Sequence, residues 1–236
     1  MRIRTTAVAV AAGLAVTAVP AAASTVILSP VAATASSVNT AVLEIDNTID
    51  QSGLSIGFTS GVTDFDAYFS QTPLHSFLAA NNEWFSAFDV TSATVTYDLG
   101  AVFDVTRFAL WNEDAAGFGT ADVAYSTDDV AYTGLGTLSP APNPVNADYP
   151  AEFFNLSFTG RFFRMELSGC PQPGGTGFQG CSIGEVAFGV RTHDDVGVIP
   201  LPGALPLMLG GFGLLGFMAT RRPQVQQLEA QVIDIV

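Results

Sequence analysis

Asp46, Asn47, Asp50 and Ser52 crowd one short segment, Asp46-Asn47-Thr48-Ile49-Asp50-Gln51-Ser52-Gly53. Carboxylates, an amide and hydroxyls on a turn-prone loop make an oxygen-rich set of the kind calcium takes, roughly six to eight oxygens from side chains, carbonyls and water. The spacing is not that of an EF-hand, and an Asx-turn with solvated acids is the competing reading. Elsewhere the catalytic chemistry is sparse. Of the two histidines, His75 lies in a segment of uncertain structure and His193 sits beside Asp194-Asp195. Nothing marks a nucleophile elbow that would complete a Ser-His-Asp arrangement. Carboxylate pairs suited to glycoside hydrolysis arise by accident among so many acids. The chain is therefore expected not to be an enzyme, with an unrecognised surface hydrolase as the alternative. Cys170 and Cys181, the two cysteines, flank Pro-Gln-Pro-Gly-Gly. With no further Cys or His beside them for a metal, they are expected to form a disulfide in an oxidising compartment.

The two ends of the chain decide that compartment. Arg2 and Arg4 precede an apolar run, Thr5–Val19, and then Pro20 and three alanines lead into Ser24. A basic start, a short apolar core and a small-residue exit form a secretory signal peptide over residues 1–23, cut between Ala23 and Ser24. Val198–Thr220 carries no charge, and Arg221 and Arg222 follow it. As a helix this run would span about 34 Å, enough for a bilayer, although Pro202 and Pro206 delay its start. Arginines flank membrane segments on the cytoplasmic side, so residues 24–197 are expected outside the membrane, 200–220 across it and 221–236 in the cytoplasm. Gly211-Phe212-Gly213-Leu214-Leu215-Gly216 matches the dinucleotide fingerprint only by accident, because no strand precedes it.

The chain has 22 acidic residues against 8 basic ones, and every basic one is arginine. Between residues 24 and 197 four arginines face twenty acids, a net charge of −16. Such a surface repels phosphate backbones, which excludes nucleic acid as a partner. This stretch fits one domain with a real core.

Strand patterns carry most of that domain. Residues 24–40 read as a lead-in with little pattern whose tail joins the first strand, 41–191 as the domain and 192–199 as a linker. Val95, Tyr97 and Leu99 alternate with polar residues, and Val105–Trp111 is a second apolar run. Val123 and Tyr125 lead into Thr127-Asp128-Asp129, a turn expected to precede a strand over Val130–Thr133. Phe154, Leu156 and Phe158 alternate, Gly160 interrupts, and Phe163, Met165 and Leu167 resume. Ile183–Val190 closes the series. For the less regular part, Val62–Phe69 is read as a strand and Leu74–Ala80 as a short helical turn. Short strands separated by Gly and Pro point to an all-β sandwich.

Tyr97-Asp98-Leu99-Gly100, Val105–Trp111, Val123–Thr133, Gly160–Leu167 and Ile183–Gly189 resemble, in that order, the strand series of discoidin-like domains. Those are galactose-binding-like jelly-roll β-sandwiches. The match covers about residues 90–190 and more faintly 38–90, where Asn47–Leu54 is similar to the family's early loop. Asp129 departs from the family by replacing a hairpin glycine, and Phe162 and Phe163 replace its usual aromatic pair. The resemblance implies a structural calcium held by Asp50 and Glu185, with Asn47 and Ser52 contributing. It also implies a ligand face in the loops at one end, where Trp84, Trp111, Phe118 and Phe178 are the candidate sugar platforms. Arg161 and Arg164 are expected to be ion-pair partners. The tail, with Pro200, Leu201, Pro202, Gly203 and Ala204 ahead of the apolar run and Arg221-Arg222 after it, resembles the VPLPA variant of PEP-CTERM sorting signals. That resemblance implies an exosortase-type partner in a Gram-negative bacterium, although Ile199, Gly203 and the fourteen residues beyond Arg222 depart from the pattern. Taken together, the sequence describes an exported, membrane-anchored or sorted surface or matrix protein with a non-catalytic binding sandwich directed at an extracellular polysaccharide. A purely structural matrix component is the alternative.

Overall fold

The computed structural model describes residues 24–77, 81–175 and 177–192. Among these residues the chain forms strands β1 (Thr25–Leu28), β2 (Ala32–Ala35), β3 (Leu74–His75), β4 (Trp84–Phe85), β5 (Ala93–Asn112), β6 (Thr120–Ser126), β7 (Thr133–Leu138), β8 (Tyr149–Pro150), β9 (Glu152–Ser168) and β10 (Ser182–Arg191). One 3-10 turn, Ile45–Thr48, and one short helix, α1 (Phe65–Phe69), complete the set.

The long strands β5 and β9 organise the rest. They pair antiparallel from Ala93 opposite Leu167 to Leu110 opposite Glu152, with a register jump between Asp98 and Phe103. Gly100 sits in that jump at φ +87°, a conformation that disfavours a side chain, and its N–H donates to Asp98 Oδ1 at 2.8 Å. Arg161 clamps the same carboxylate with two 2.7 Å bonds, from Nε to Oδ1 and from Nη2 to Oδ2. Before the jump, β5 is flanked by β2 and by the second half of β9, which in turn carries β6 and β7. After it, β5 is flanked by β10 and the first half of β9, and β10 carries β1 and β4. Both long strands thus serve two layers. A second irregularity, between Val105 and Arg107, shifts the inward set from odd to even positions, so Val105, Phe108 and Leu110 all reach the main core.

Apolar residues at every second position fill the space between the layers. Val95, Tyr97 and Leu99 of β5 meet Phe163, Met165 and Leu167 of β9 and Val186, Phe188 and Val190 of β10. Phe108, Phe163 and Phe188 pack pairwise with centroids 5.1–5.2 Å apart. A smaller core lies on the opposite face of β10, where Phe65 and Tyr68 of α1 cover Ala109, Trp111 and Ala187. β10 is consequently buried on both faces, and all its residues but Arg191 are buried.

Several expectations need correction. The stretch read as a lead-in whose tail joins the first strand contributes two strands, β1 and β2, whose pairing to β10 and β5 brings the domain's start forward to about residue 25. Val62–Phe69 holds a helix and Leu74–His75 a strand, the reverse of the reading from pattern. Asp64 decides the first: its Oδ1 accepts the Ala67 N–H at 2.8 Å and caps the helix. The turn after β6 runs longer than expected, so β7 begins at Thr133 and Val130 is left 83% exposed. Asp129, standing where the resemblance places a glycine, takes φ +62°. The expected signal peptide, membrane segment, cytoplasmic tail and sorting residues (Pro200, Leu201, Pro202, Gly203, Ala204, Arg221 and Arg222) lie outside the described residues, as does Ala23. Among the described residues no helix is long and apolar enough to cross a membrane.

Candidate functional site

Asp50 and Glu185, far apart in sequence, come together at one end of the sandwich. Glu185 projects from β10 and is fully buried. Its Oε2 accepts the Gln51 N–H at 2.9 Å, while Oε1 has no hydrogen-bond partner. Burial raises the Glu185 pKa well above the usual carboxylate range, and the nearby Asp50 charge adds to the effect. Asp50 itself is exposed and accepts the Ser52 N–H in an Asx-turn. The expected helpers are tied into the loop frame: Asn47 Nδ2 donates to the carbonyls of Val42 and Glu83, and Ser52 Oγ donates to that of Asn81. Among the described residues no group of three or more His, Cys, Asp or Glu side chains converges as a metal site.

Beside this pair lies a knot of buried polar groups that the sequence did not reveal. His75 is fully buried, with Nδ1 2.8 Å from the Ser76 carbonyl and Nε2 3.1 Å from that of Asn82. Gly53 must be glycine here, because a Cβ would fall 2.3 Å from the His75 ring. Burial lowers the pKa of the imidazole, against the opposing effect of the Ser76 and Asn82 carbonyls. Glu83, 3.7 Å from His75, accepts a hydrogen bond from Tyr149 Oη at 3.1 Å. Glu113 and Asp114, in the turn after β5, are also buried. Glu113 Oε2 accepts the N–H groups of Ala115 and Ala116, and its carboxyl pKa is pushed up to about 9 by burial, with Asp114 and Glu83 adding to the shift. Asp114 Oδ2 accepts the Asn146 N–H. Five buried polar side chains at one end of a sandwich fix loops there, and each must find partners or give up its charge.

The aromatic residues divide sharply. Trp84, Trp111 and Phe118 are fully buried, so none can stack on a sugar; this corrects the expectation that they form the ligand face. Trp84 Nε1 donates to the Ser37 carbonyl and Trp111 Nε1 to that of Pro73, the usual way a buried indole is satisfied. Phe178 stays half-buried at the disulfide loop, edge-on to Phe85 and Phe88. The loop is closed as expected by Cys170–Cys181. Arg161 and Arg164 are likewise structural: the first clamps Asp98 and the second stacks over Tyr132, 3.8 Å from the ring centroid.

Phe153 was missed by the sequence reading, and with Phe77 and Phe88 it is one of the exposed phenyl rings among the described residues. It is 49% exposed and lines a cleft of about 320 Å³ with Asn112, Ala141, Asn143, Pro150 and Glu152. Its ring is wedged edge-on against Phe65 and Phe69, with centroids 6.1 and 4.7 Å away. The signal lay in the pair Phe153-Phe154: alternation sends Phe154 into the core and so turns Phe153 outward. Asn143 Nδ2 donates to the Asn112 carbonyl at 2.6 Å, and among the described residues Asn143 Oδ1 accepts no hydrogen bond. The cleft therefore offers an apolar ring face, an amide oxygen and a carboxylate, a combination suited to a small polar molecule with one apolar face.

No family model matches this chain, and no curated protein matches it. Among solved structures it is similar to a variant of chitosan-binding module 1 of a chitosanase/glucanase from Paenibacillus sp. IK-5, at 20% identity and TM-score 0.47, covering 71% of this chain and 99% of that one. A family 32 carbohydrate-binding module of a family 31 glycoside hydrolase from Clostridium perfringens is similar at 13% identity and TM-score 0.47, covering 70% and 91%. Another module of that family from the same organism, solved with galactose, is similar at 11% identity and TM-score 0.46, covering 70% and 97%. Likenesses this distant assign no ligand.

The raised Glu113 pKa has a measurable consequence. Below about pH 4.5 both folded and unfolded chains hold this proton; between about 4.5 and 9 only the folded chain does. Stability in chelator should therefore fall as pH rises through that window, and Glu113→Gln should flatten the slope. Melting curves read the difference at about 2–4 °C per kcal/mol. Equal slopes for both proteins would refute the assignment.

Proposed function

We propose that this chain is a non-catalytic carbohydrate-binding protein whose ligand enters the Phe153 cleft. The reading rests on one observation, an exposed phenyl ring beside an unspent amide oxygen and a carboxylate in a cleft large enough for a sugar ring. Phe153 would stack on the apolar face of the pyranose, while Asn143 Oδ1 and Glu152 accept its hydroxyls. The net charge of −16 over residues 24–197 favours a cationic saccharide and disfavours an anionic one. Titration with a glucosamine trimer, galactose and a mannuronate trimer should rank affinity in that order at low salt. Phe153→Ala should weaken the best binder by about tenfold or more, equivalent to roughly 1.4 kcal/mol. Failure of all three to bind would favour a purely structural matrix component.

A structural calcium ion belongs to the same proposal. Asp50 and Glu185 would hold it, with oxygens of Asn47 and Ser52 in reserve, and the orphaned Glu185 Oε1 is the observation that supports it. The ion would supply positive charge to a carboxyl that is otherwise buried without a counter-charge. Calcium should raise the melting temperature relative to chelator, and Asp50→Asn with Glu185→Gln should abolish that difference. An identical calcium shift in wild type and double variant would rule these ligands out.

Export and sorting complete the reading. The signal-peptide layout of residues 1–23 and the Pro200–Arg222 pattern support a precursor held in the inner membrane, then released to the cell surface or matrix by an exosortase-type enzyme. Intact mass of the mature protein should show an N-terminus at Ser24 and loss of the chain beyond about Pro202. A mass that retains Arg221-Arg222 would end the sorting proposal.

A further inference from the structure

Resting on the carbohydrate reading of the cleft, we infer that Gln172 is its positioning residue, and that the Cys170–Cys181 ring is part of the binding apparatus rather than a remote staple. The wall of the cleft formed by Ala141 and Asn143 comes from a segment in which Pro140, Pro142 and Pro144 alternate with other residues. Proline has no N–H, so this stretch cannot be held by a strand ladder, and Ala141 and Asn143 are its only peptide donors. Each is bound by one side chain. Ala141 N–H donates to Glu152 Oε2 at 2.7 Å, and Asn143 N–H donates to Gln172 Oε1 at 3.1 Å.

Gln172 does more than accept that bond. Its Nε2 donates to the Asn143 carbonyl at 3.3 Å, so the side-chain amide brackets one backbone residue as a neighbouring strand would. The same amide ties in the turn after β5: Nε2 also donates to the Asp114 carbonyl, and Oε1 also accepts from Asn112 Nδ2 at 3.4 Å. Gln172 is 2% exposed, and a glutamine buried this far stays only where its amide is fully used. With its backbone gripped by Gln172 and its Nδ2 held by the Asn112 carbonyl, Asn143 can present only Oδ1 to the cleft. Gln172 itself is fixed by its place inside the ring closed by Cys170 and Cys181, both buried. Opening that ring frees Gln172, and with it the orientation of Asn143, while the β-sheet layers stay intact.

The test uses the full chain as wild type, as Gln172→Met, which keeps the side chain's length but removes its hydrogen bonds, and as wild type after mild reduction. Amide hydrogen exchange at Asn143 should speed up by about tenfold or more in both perturbed forms, with Ala141, still held by Glu152, and the β10 amides barely changed. Affinity for the glucosamine trimer should fall by a similar factor, with Phe153→Ala as the reference for a lost contact. Unchanged exchange at Asn143 in either perturbed form would overturn the inference, and so would exchange that rises equally throughout the sheet. Should the wild type bind none of the saccharide probes while Asn143 exchange responds as described, the carbohydrate reading alone would fall and the bracing of Asn143 would stand. If Gln172→Met does not fold, the reduced wild type supplies both measurements.

Discussion

The crossing of β5 and β9 from one layer of the sandwich to the other is the constraint on which the remaining structure depends. A strand that changes layers must bend without leaving its peptide groups unpaired. Gly100, Asp98 and Arg161 accomplish this together: the glycine takes the disfavoured φ, the carboxylate accepts its N–H, and the guanidinium neutralises that carboxylate and holds its pKa below the usual range. Because both strands run through, the inward residues of the two layers share one aromatic core, and the far ends of the strands deliver their loops to common places.

At one of those ends the chain collects groups that globular cores normally avoid. Glu83, Glu113, Asp114, Glu185 and His75 are all essentially buried. Glu113 and Glu185 remain tolerable chiefly by holding their protons, and Asp114 spends an oxygen on the Asn146 N–H. The knot keeps the loops above it in one arrangement and leaves Glu185 Oε1 without a hydrogen-bond partner. Directly above, prolines remove the backbone's own means of ordering the cleft wall, so side chains from β9 and from the disulfide ring take over.

Much of the fold was legible in advance. Strict alternation in Thr94–Leu99, Phe154–Phe158 and Phe163–Leu167 located the long strands, and Ile183–Val190 was read as the closing strand, its burial on both faces emerging only from the packed chain. The disulfide followed from having two cysteines and no other soft ligands near them. The misreadings have equally local causes. Four-residue strands such as β1 and β2 are too short to show a period. Asp64, a capping residue immediately before the Phe-rich segment Phe65–Phe69, outweighed the β-propensity of its aromatics.

Residue types and their order thus settled the all-β architecture, the acidic exterior and the pairing of the cysteines, because period, composition and counting need no long-range information. Which aromatic rings meet solvent, which carboxyls lose water, and how Gln172 reaches Asn143 across twenty-nine positions were settled only by the packed chain. Burial is a property of what surrounds a side chain, and for Trp84, Phe153 and Glu113 those surroundings come from strands far away in sequence.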